Sequence, residues 1–247
     1  RQPIDFSKRE FVEIGNLFFT GQVDLYGGGL DSIILKTYRT ALNKEEKVTL
    51  FKADTVLKKE NFRFEFEDQE WAVFNAGDKY NYTKTENNLI LDKSDGDKKV
   101  TKTITYYPGK YYFDYKVVIQ GSKRPSGNIK FNFFWPVHEK GKPGLDSLLA
   151  DTEQVIYKID DSLTRKTFSD IGQGETKPGK LEWISLGNKY FLGVVIQKSR
   201  LNPDISYTNS LNNILVELSY PVSKAKQEEP LEFELRVFTG PKKVEFL

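Results

Sequence analysis

Leu231-Glu232-Phe233-Glu234-Leu235-Arg236-Val237-Phe238-Thr239-Gly240-Pro241-Lys242-Lys243-Val244-Glu245-Phe246-Leu247 is the stretch that decides the fold. Leu231, Phe233, Leu235 and Val237 fall on one side of an extended chain, with Glu232, Glu234 and Arg236 on the other. A period of two describes a strand with one wet and one dry face. Gly240-Pro241 is expected to break that strand.

The same period recurs upstream. Phe62, Phe64 and Phe66 alternate with Arg63, Glu65 and Glu67. Val100, Ile104 and Tyr106 share a face opposite Thr101, Thr103 and Thr105. Further faces are Tyr111-Phe113-Tyr115-Val117-Ile119, Ile129-Phe131-Phe133-Trp135 and Ile214-Val216-Leu218-Tyr220. β-Branched and aromatic residues fill these runs, as strands favour. Asp95-Gly96-Asp97 suits a tight hairpin, because glycine accepts positive φ. Pro108-Gly109-Lys110 should reverse the chain, and Gly121 to Gly127 should end the next strand in a polar turn. Many half-buried strands need a facing apolar layer, so the expectation is an all-β fold of two packed antiparallel sheets.

Helical signals are few. Asp146 to Ala150 suits a short turn, Thr208 to Asn213 a loop or short helix, and Ser223 to Pro230 a charged loop. Glu139 to Asp151 is the most loop-like part. Without an internal repeat or low-complexity linker, residues 1–247 read as one domain.

Composition bounds the function. Of 247 residues, 38% are hydrophobic and 29% charged, a globular balance. No apolar run approaches the ~20 residues of a membrane helix. The opening Arg1-Gln2-Pro3 does not read as a signal peptide, so a targeting segment is expected upstream or already removed. A net charge of +2 with scattered lysines gives no field for nucleic acid. Cysteine is absent, which excludes disulfides, thiolate metal sites and cysteine nucleophiles.

Candidate chemical sites are weak. The single histidine, His138, reads as a loop residue, since catalysis needs several groups in named roles. The acidic turn Asp92 to Asp97 suggests calcium, but an EF-type loop with Gly96 in sixth place would put Leu91 first, Lys93 third and Lys102 at the closing glutamate. A hairpin is preferred. Gly27-Gly28-Gly29 lacks the Lys-Ser/Thr of a phosphate loop and reads as a tight reversal or close backbone approach. Trp71, Trp135 and Trp183 belong to an aromatic content of 14%, expected mainly in the core, with an aromatic-lined cleft as the functional alternative. The pairs Lys242-Lys243 and Lys224/Lys226 fall short of a basic cluster and read as solvated.

Four blocks, in order, resemble the periplasmic domain of the bacterial YidC membrane insertases. Tyr26-Gly27-Gly28-Gly29-Leu30 with Leu35 to Tyr38 resembles the family's early glycine pair and following tyrosine. Val100 to Thr105 with Pro108-Gly109-Lys110-Tyr111 resembles its central hairpin. Trp183 to Phe191, ending Asn188-Lys189-Tyr190-Phe191, resembles its tryptophan, exposed loop and Tyr-Phe block. The strand, Gly240-Pro241-Lys242 and aromatic tail resemble its end. The family-motif positions are therefore Gly28, Gly29, Tyr38, Gly109, Tyr111, Trp183, Tyr190, Gly240 and Pro241, read as structural.

The resemblance implies a β-supersandwich shaped like galactose mutarotase, with a long surface cleft and few short helices. It implies an accessory domain on the periplasmic face of the inner membrane, part of a multi-pass protein whose transmembrane helices perform insertion. No catalytic, cofactor or metal residue carries over. Implied partners are Sec translocon accessory subunits of the SecD/SecF type and nascent membrane proteins, met at the cleft or a sheet edge. Two alternatives stand beside it: a non-catalytic carbohydrate-binding sandwich and a free periplasmic chaperone. A mutarotase-like mechanism would need a histidine pair, and this chain has one histidine.

Overall fold

The computed structural model describes residues 7, 9–40, 43–53, 59–75, 79–136, 154–167, 170–171, 175–210, 213–225 and 231–243. His138, the Glu139–Asp151 loop, the turn at 146–150 and Lys226 lie outside the described residues.

The strand of the deciding stretch, β18 (Leu231–Pro241), sits in the middle of a nine-stranded antiparallel sheet. On one side β18 pairs with β9 (Tyr112–Gln120), then follow β8 (Lys98–Tyr106), β7 (Asn88–Asp95) and β6 (Asn81–Lys84) at the edge. On the other side lie β15 (Phe191–Gln197), β14 (Leu181–Gly187), β11 (Gln154–Ile159) and the edge strand β12 (Ser162–Thr167). Leu231, Phe233, Leu235 and Val237 are buried, as their alternation predicts.

That dry face packs on a five-stranded sheet. Its order is β13 (Glu175–Lys177), β16 (Asp204–Ser210), β17 (Asn213–Pro221), β10 (Asn128–Pro136) and β5 (Arg63–Phe66). Rings span the gap: Phe233 lies 5.1 Å from Phe64 and 4.8 Å from Tyr220. The facing layers bury one contiguous apolar cluster, with Trp71 and Trp135 inside it. These are the two sheets expected from the sequence.

The first strands form a third sheet, which the sequence reading does not separate: β1 (Phe11–Gly15), β2 (Phe19–Asp24), β3 (Leu30–Arg39) and β4 (Lys47–Lys52). Reciprocal bonds between Leu30 and Asn61 join it to the segment entering β5. The Phe51 ring docks edge-on against Phe62 and Trp135.

The turns at Gly96-Asp97 and Pro108-Gly109-Lys110 join β7 to β8 and β8 to β9 as read. Three expectations are corrected. Gly240-Pro241 does not break β18; these residues pair with Leu192 and Phe191 of β15. Thr239 donates its N–H to Tyr111 on the β9 side. Two residues on, the proline nitrogen points the same way, past the first β9 residue, so its missing N–H costs no ladder bond. In the stretch read as a loop or short helix, Thr208–Ser210 and Asn213 are strand: β16 runs to Ser210, continuing the alternation of buried Ile205 and Tyr207, and β17 begins at Asn213, while Leu211 and Asn212 lie outside the described residues. Ser223-Lys224 is not loop but part of a 3-10 turn, Val222–Lys224.

Candidate functional site

Three places could carry function. The first is a buried charge cluster under the glycine run. Gly27 and Gly28 join β2 to β3 with φ of 93° and 65°, the left-handed region that glycine adopts without strain. A Cβ on Gly28 would lie 3.0 Å from Lys102 Nζ, and one on Gly29 2.4 Å from Glu60 Oε2. The run is thus the close backbone approach read from sequence, made onto charged side chains. Lys102 donates to the Gly27 carbonyl and lies 4.7 Å over the Tyr80 ring. Arg9 binds Asp24 at 2.9 Å, and Glu60 and Asp31 at 2.7 Å each.

Burial governs this cluster. Burial first, and Asp24 beside it, push the Glu60 carboxyl up to about 8, against the pull of Arg9 and Arg63. Burial, and then Arg63, push the Lys102 ammonium down to about 7, against the pull of Glu60. Arg63, expected to face solvent from β5, is only 4% exposed and donates to the Asn75 carbonyl; the segment carrying Asn75 covers that face. Lys102 is a residue the sequence reading passed over. Its signal was its parity with Val100, Ile104 and Tyr106, which places a lysine on the dry face. Asp24, Glu60 and Lys102 are each at most 1% exposed. The cluster therefore cross-links four segments and offers no open nucleophile or base.

The second place gathers family-motif positions at one end of the sandwich. The Tyr111 ring stacks on Phe18 at 4.4 Å, and a Cβ on Gly240 would meet that ring at 2.8 Å. Tyr38 lies edge-on to Phe191 at 5.3 Å, and Pro241 is the register partner of Phe191. Asn188 Oδ1 accepts from the Tyr190 and Phe191 N–H groups, which turns the chain and leaves Tyr190 60% exposed. Gly109 stands in the adjoining β8–β9 turn. Gly28 and Gly29 lie apart, at the far end of β2. Trp183 also lies apart, half-buried on β14 opposite Ile196.

The third place is an open groove of about 500 Å³ between two sheet edges. Strand β12 is outermost in the nine-stranded sheet and β13 in the five-stranded sheet. Tyr157, Asp160, Ser162, Thr164, Lys166 and Lys177 line the groove. Leu163, on β12, is 62% exposed. Hydroxyls, lysines and strand edges can hydrogen-bond an extended chain or a polyol. Among the described residues, no three His, Asp or Glu side chains converge as metal ligands. No helix among them is long and apolar enough to cross a membrane.

These layers define the class: an antiparallel β-supersandwich of the galactose mutarotase shape. The fold is similar to a galactose mutarotase-like protein from Lactobacillus casei ATCC 334, with a TM-score of 0.64 at 9% identity, covering 94% of this chain and 100% of that one. It is also similar to a GalM/aldose epimerase homologue from C. elegans, with a TM-score of 0.62 at 8% identity, covering 95% of this chain and 100% of that one. At such identity the likeness shows the fold alone.

The family model of the YidC periplasmic domain matches residues 12–247, and the chain belongs to that family. It is 21% identical over 266 residues to the membrane protein insertase YidC of Rickettsia akari (strain Hartford), covering 98% of this chain and 45% of that relative. The chain thus spans about half the length of the relative it matches.

Proposed function

We propose that this chain is the periplasmic accessory domain of a membrane protein insertase, with no chemistry of its own. It aids insertion and folding of inner-membrane proteins by contacting Sec accessory subunits of the SecD/SecF type and nascent membrane segments. Insertion itself belongs to transmembrane helices outside this chain, in a multi-pass inner-membrane protein. Family membership supports the role.

The observation that carries the contact surface is the groove between the outermost strands β12 and β13. An edge strand presents backbone donors and acceptors in a row, and an extended segment can add to it as a further strand. The test is a photo-crosslinking amino acid at Ser162, which lines the groove, with one at Tyr82 on the opposite edge strand β6 as control, in the full-length protein in membranes. Adducts with a Sec accessory subunit or a nascent chain from Ser162, and not from Tyr82, are expected. Adducts from neither position, or equally from both, would reject the groove as the contact.

The mutarotase-like shape supports a second reading, a non-catalytic sugar-binding module. Titration with a panel of monosaccharides and oligosaccharides separates the two. Saturable binding lost on Ser162→Ala with Lys177→Ala would favour sugar recognition over the peptide contact.

A further inference from the structure

The buried cluster beneath the glycine run holds one carboxyl oxygen that its neighbours leave unanswered. Arg9, ahead of β1, donates to Glu60 Oε1 at 2.7 Å and to Asp24 Oδ2 at 2.9 Å, and binds Asp31 Oδ1 at 2.7 Å. Three carboxyl groups thus share one guanidinium. Asp24 Oδ1 accepts the Tyr26 N–H at 2.9 Å. The Asp24 and Glu60 side chains are both fully buried. Among the described residues, no N–H or hydroxyl donor reaches Glu60 Oε2. Gly29 covers that oxygen: a Cβ there would lie 2.4 Å from it.

A carboxylate oxygen buried without a donor has lost its hydration and gained nothing in exchange. A carboxylic acid has no such deficit, because Oε2 then carries the hydrogen and is itself the donor. The Glu60 and Asp24 carboxyls stand within hydrogen-bonding reach of each other. Two carboxylates in that position repel, whereas an acid and a carboxylate bond. Other charged and titratable groups face Glu60 from each element packed against it: Arg9 ahead of β1, Asp31 of β3, Arg63 of β5, Lys102 of β8 and Tyr115 of β9. Lys93 of β7 and Tyr80 stand behind Lys102. None of the cations besides Arg9 hydrogen-bonds Glu60: Arg63 donates to the Asn75 carbonyl, Lys102 to the Gly27 carbonyl and Lys93 to the Val73 carbonyl.

We propose that Glu60 and Asp24 share a single proton, carried at Glu60 Oε2, and that this proton latches the β2–β3 turn onto the sandwich. With the proton in place, Glu60 donates to Asp24 beneath Gly29. Without it, two buried carboxylates face each other and Oε2 has no donor. Water reaches that oxygen when the Gly27-Gly28-Gly29 run lifts away, and the left-handed φ values of Gly27 and Gly28 mark this turn as backbone that glycine leaves free to move. Lifting it bares Lys102 and Tyr80, each at most 1% exposed in the closed form. Opening therefore releases a proton. The closed latch keeps it up to about pH 8, whereas a solvated Glu60 holds it only to the ordinary 4.5. The opening constant accordingly rises with pH, by about tenfold per unit inside that window, and levels off above it. Below about 7 Lys102 is charged whether the turn is open or closed, so Glu60 sets the slope there. The latch and the β12/β13 groove rest on different residues, so failure of one proposal leaves the other standing.

The proton is tested by carbon-13 NMR of the glutamate carboxyl carbons, with Glu60→Gln to assign the Glu60 signal. Glu60 should keep the chemical shift of the acid at about pH 6 and titrate near 8. Asp24→Asn, which removes the accepting carboxylate, should move that titration down. A Glu60 that titrates at the ordinary 4.5 in the parent chain, or one indifferent to Asp24→Asn, would overturn the shared proton. The latch is tested by amide hydrogen exchange over residues 24–30, corrected for the intrinsic effect of pH on exchange. Their opening constant should rise about tenfold per unit between about pH 5.5 and 7 in the parent chain. It should stay flat in Glu60→Gln, whose amide donates to Asp24 and has no proton to lose in that range. The β18 amides, which open with the whole fold, should exchange more slowly than residues 24–30. A flat parent, equal slopes in parent and variant, or exchange of residues 24–30 in step with β18 would each overturn the latch. The NMR titration of the parent chain decides the proton even if a variant does not fold.

Discussion

Arg9 Nη2 donates to Glu60 Oε1 at 2.7 Å, across 51 residues of chain. The same guanidinium holds Asp24 and Asp31, so one residue ahead of β1 secures the β2–β3 turn and the approach to β5. Removing one partner of a buried ion pair leaves the other uncompensated, which costs about 3–5 kcal/mol. Arg9→Met should therefore lower the urea-unfolding free energy by about that much at neutral pH, chiefly because buried Asp24 loses its guanidinium partner, Glu60 holding its proton there. A loss below about 1 kcal/mol would mean that Arg9 behaves as a surface residue.

Glu60 and Lys102 give the domain an unusual pH profile. Between the ordinary glutamate value of 4.5 and about 8, folded Glu60 keeps a proton that the unfolded chain has released. Stability contributed by Glu60 therefore falls as pH rises through that window. Between about 7 and the ordinary lysine value of 10.5, folded Lys102 has lost a proton that the unfolded chain retains. Its contribution therefore rises with pH there. The sum predicts a shallow minimum in unfolding free energy near pH 7 to 8. Lys102→Met should remove the rise on the alkaline side and raise stability at pH 6 by about 1–3 kcal/mol. A profile that is flat from pH 5 to 10 in the parent chain would refute this account.

Gly240 has no room for a methyl group. Its Cβ would meet Tyr111 Cδ1 and Cγ at 2.8 Å, and that ring is backed by Phe18 at 4.4 Å. Overpacking of this kind costs about 1–3 kcal/mol, so Gly240→Ala should be destabilising by that amount in thermal unfolding. Combining it with Tyr111→Leu should give a non-additive cycle, because the clash needs both side chains. Additive losses would place the strain elsewhere.

On the outer face of the large sheet, Asp114 takes Arg236 in a two-pronged pair and the Tyr107 hydroxyl at 2.8 Å. Burial would raise the Asp114 carboxyl, but the bonds from Arg236 and Tyr107 outweigh it and hold the group below 3.8. A depressed carboxylate stabilises above its unfolded value and loses that contribution as pH falls through its folded one. Asp114→Asn should cost about 1 kcal/mol at pH 7, as expected for a partly exposed pair, and progressively less as pH falls below 3.8 toward the folded value of Asp114. A loss of the same size at every pH would assign the effect to geometry instead.

The β18 alternation needed no structure to read: Leu231, Phe233, Leu235 and Val237 could be dry on one side only, because side chains alternate across a strand. The same local rule placed the strands from Val100 to Tyr106 and from Tyr111 to Ile119, with the turn at Gly96 before the first and the turn at Gly109 between the two. It was silent about Lys102, where parity says inside and chemistry says outside. It misread Arg63, because a strand's wet face becomes dry once another segment lies over it.

The sequence by itself thus determined the class of fold, through its period of two and its turn residues, and the family, through four ordered blocks. Only the tertiary structure decided which strands stand at the edges, and that the described strands form three sheets rather than two. It brought Gly28 onto Lys102, Gly240 onto Tyr111 and Glu60 onto Asp24. Alternation is a local property of a chain, legible in a few residues. Strand order and charge burial depend on partners 51 or more residues apart in pairs such as Arg9–Glu60 and Gly27–Lys102, whose meeting only the folded chain defines.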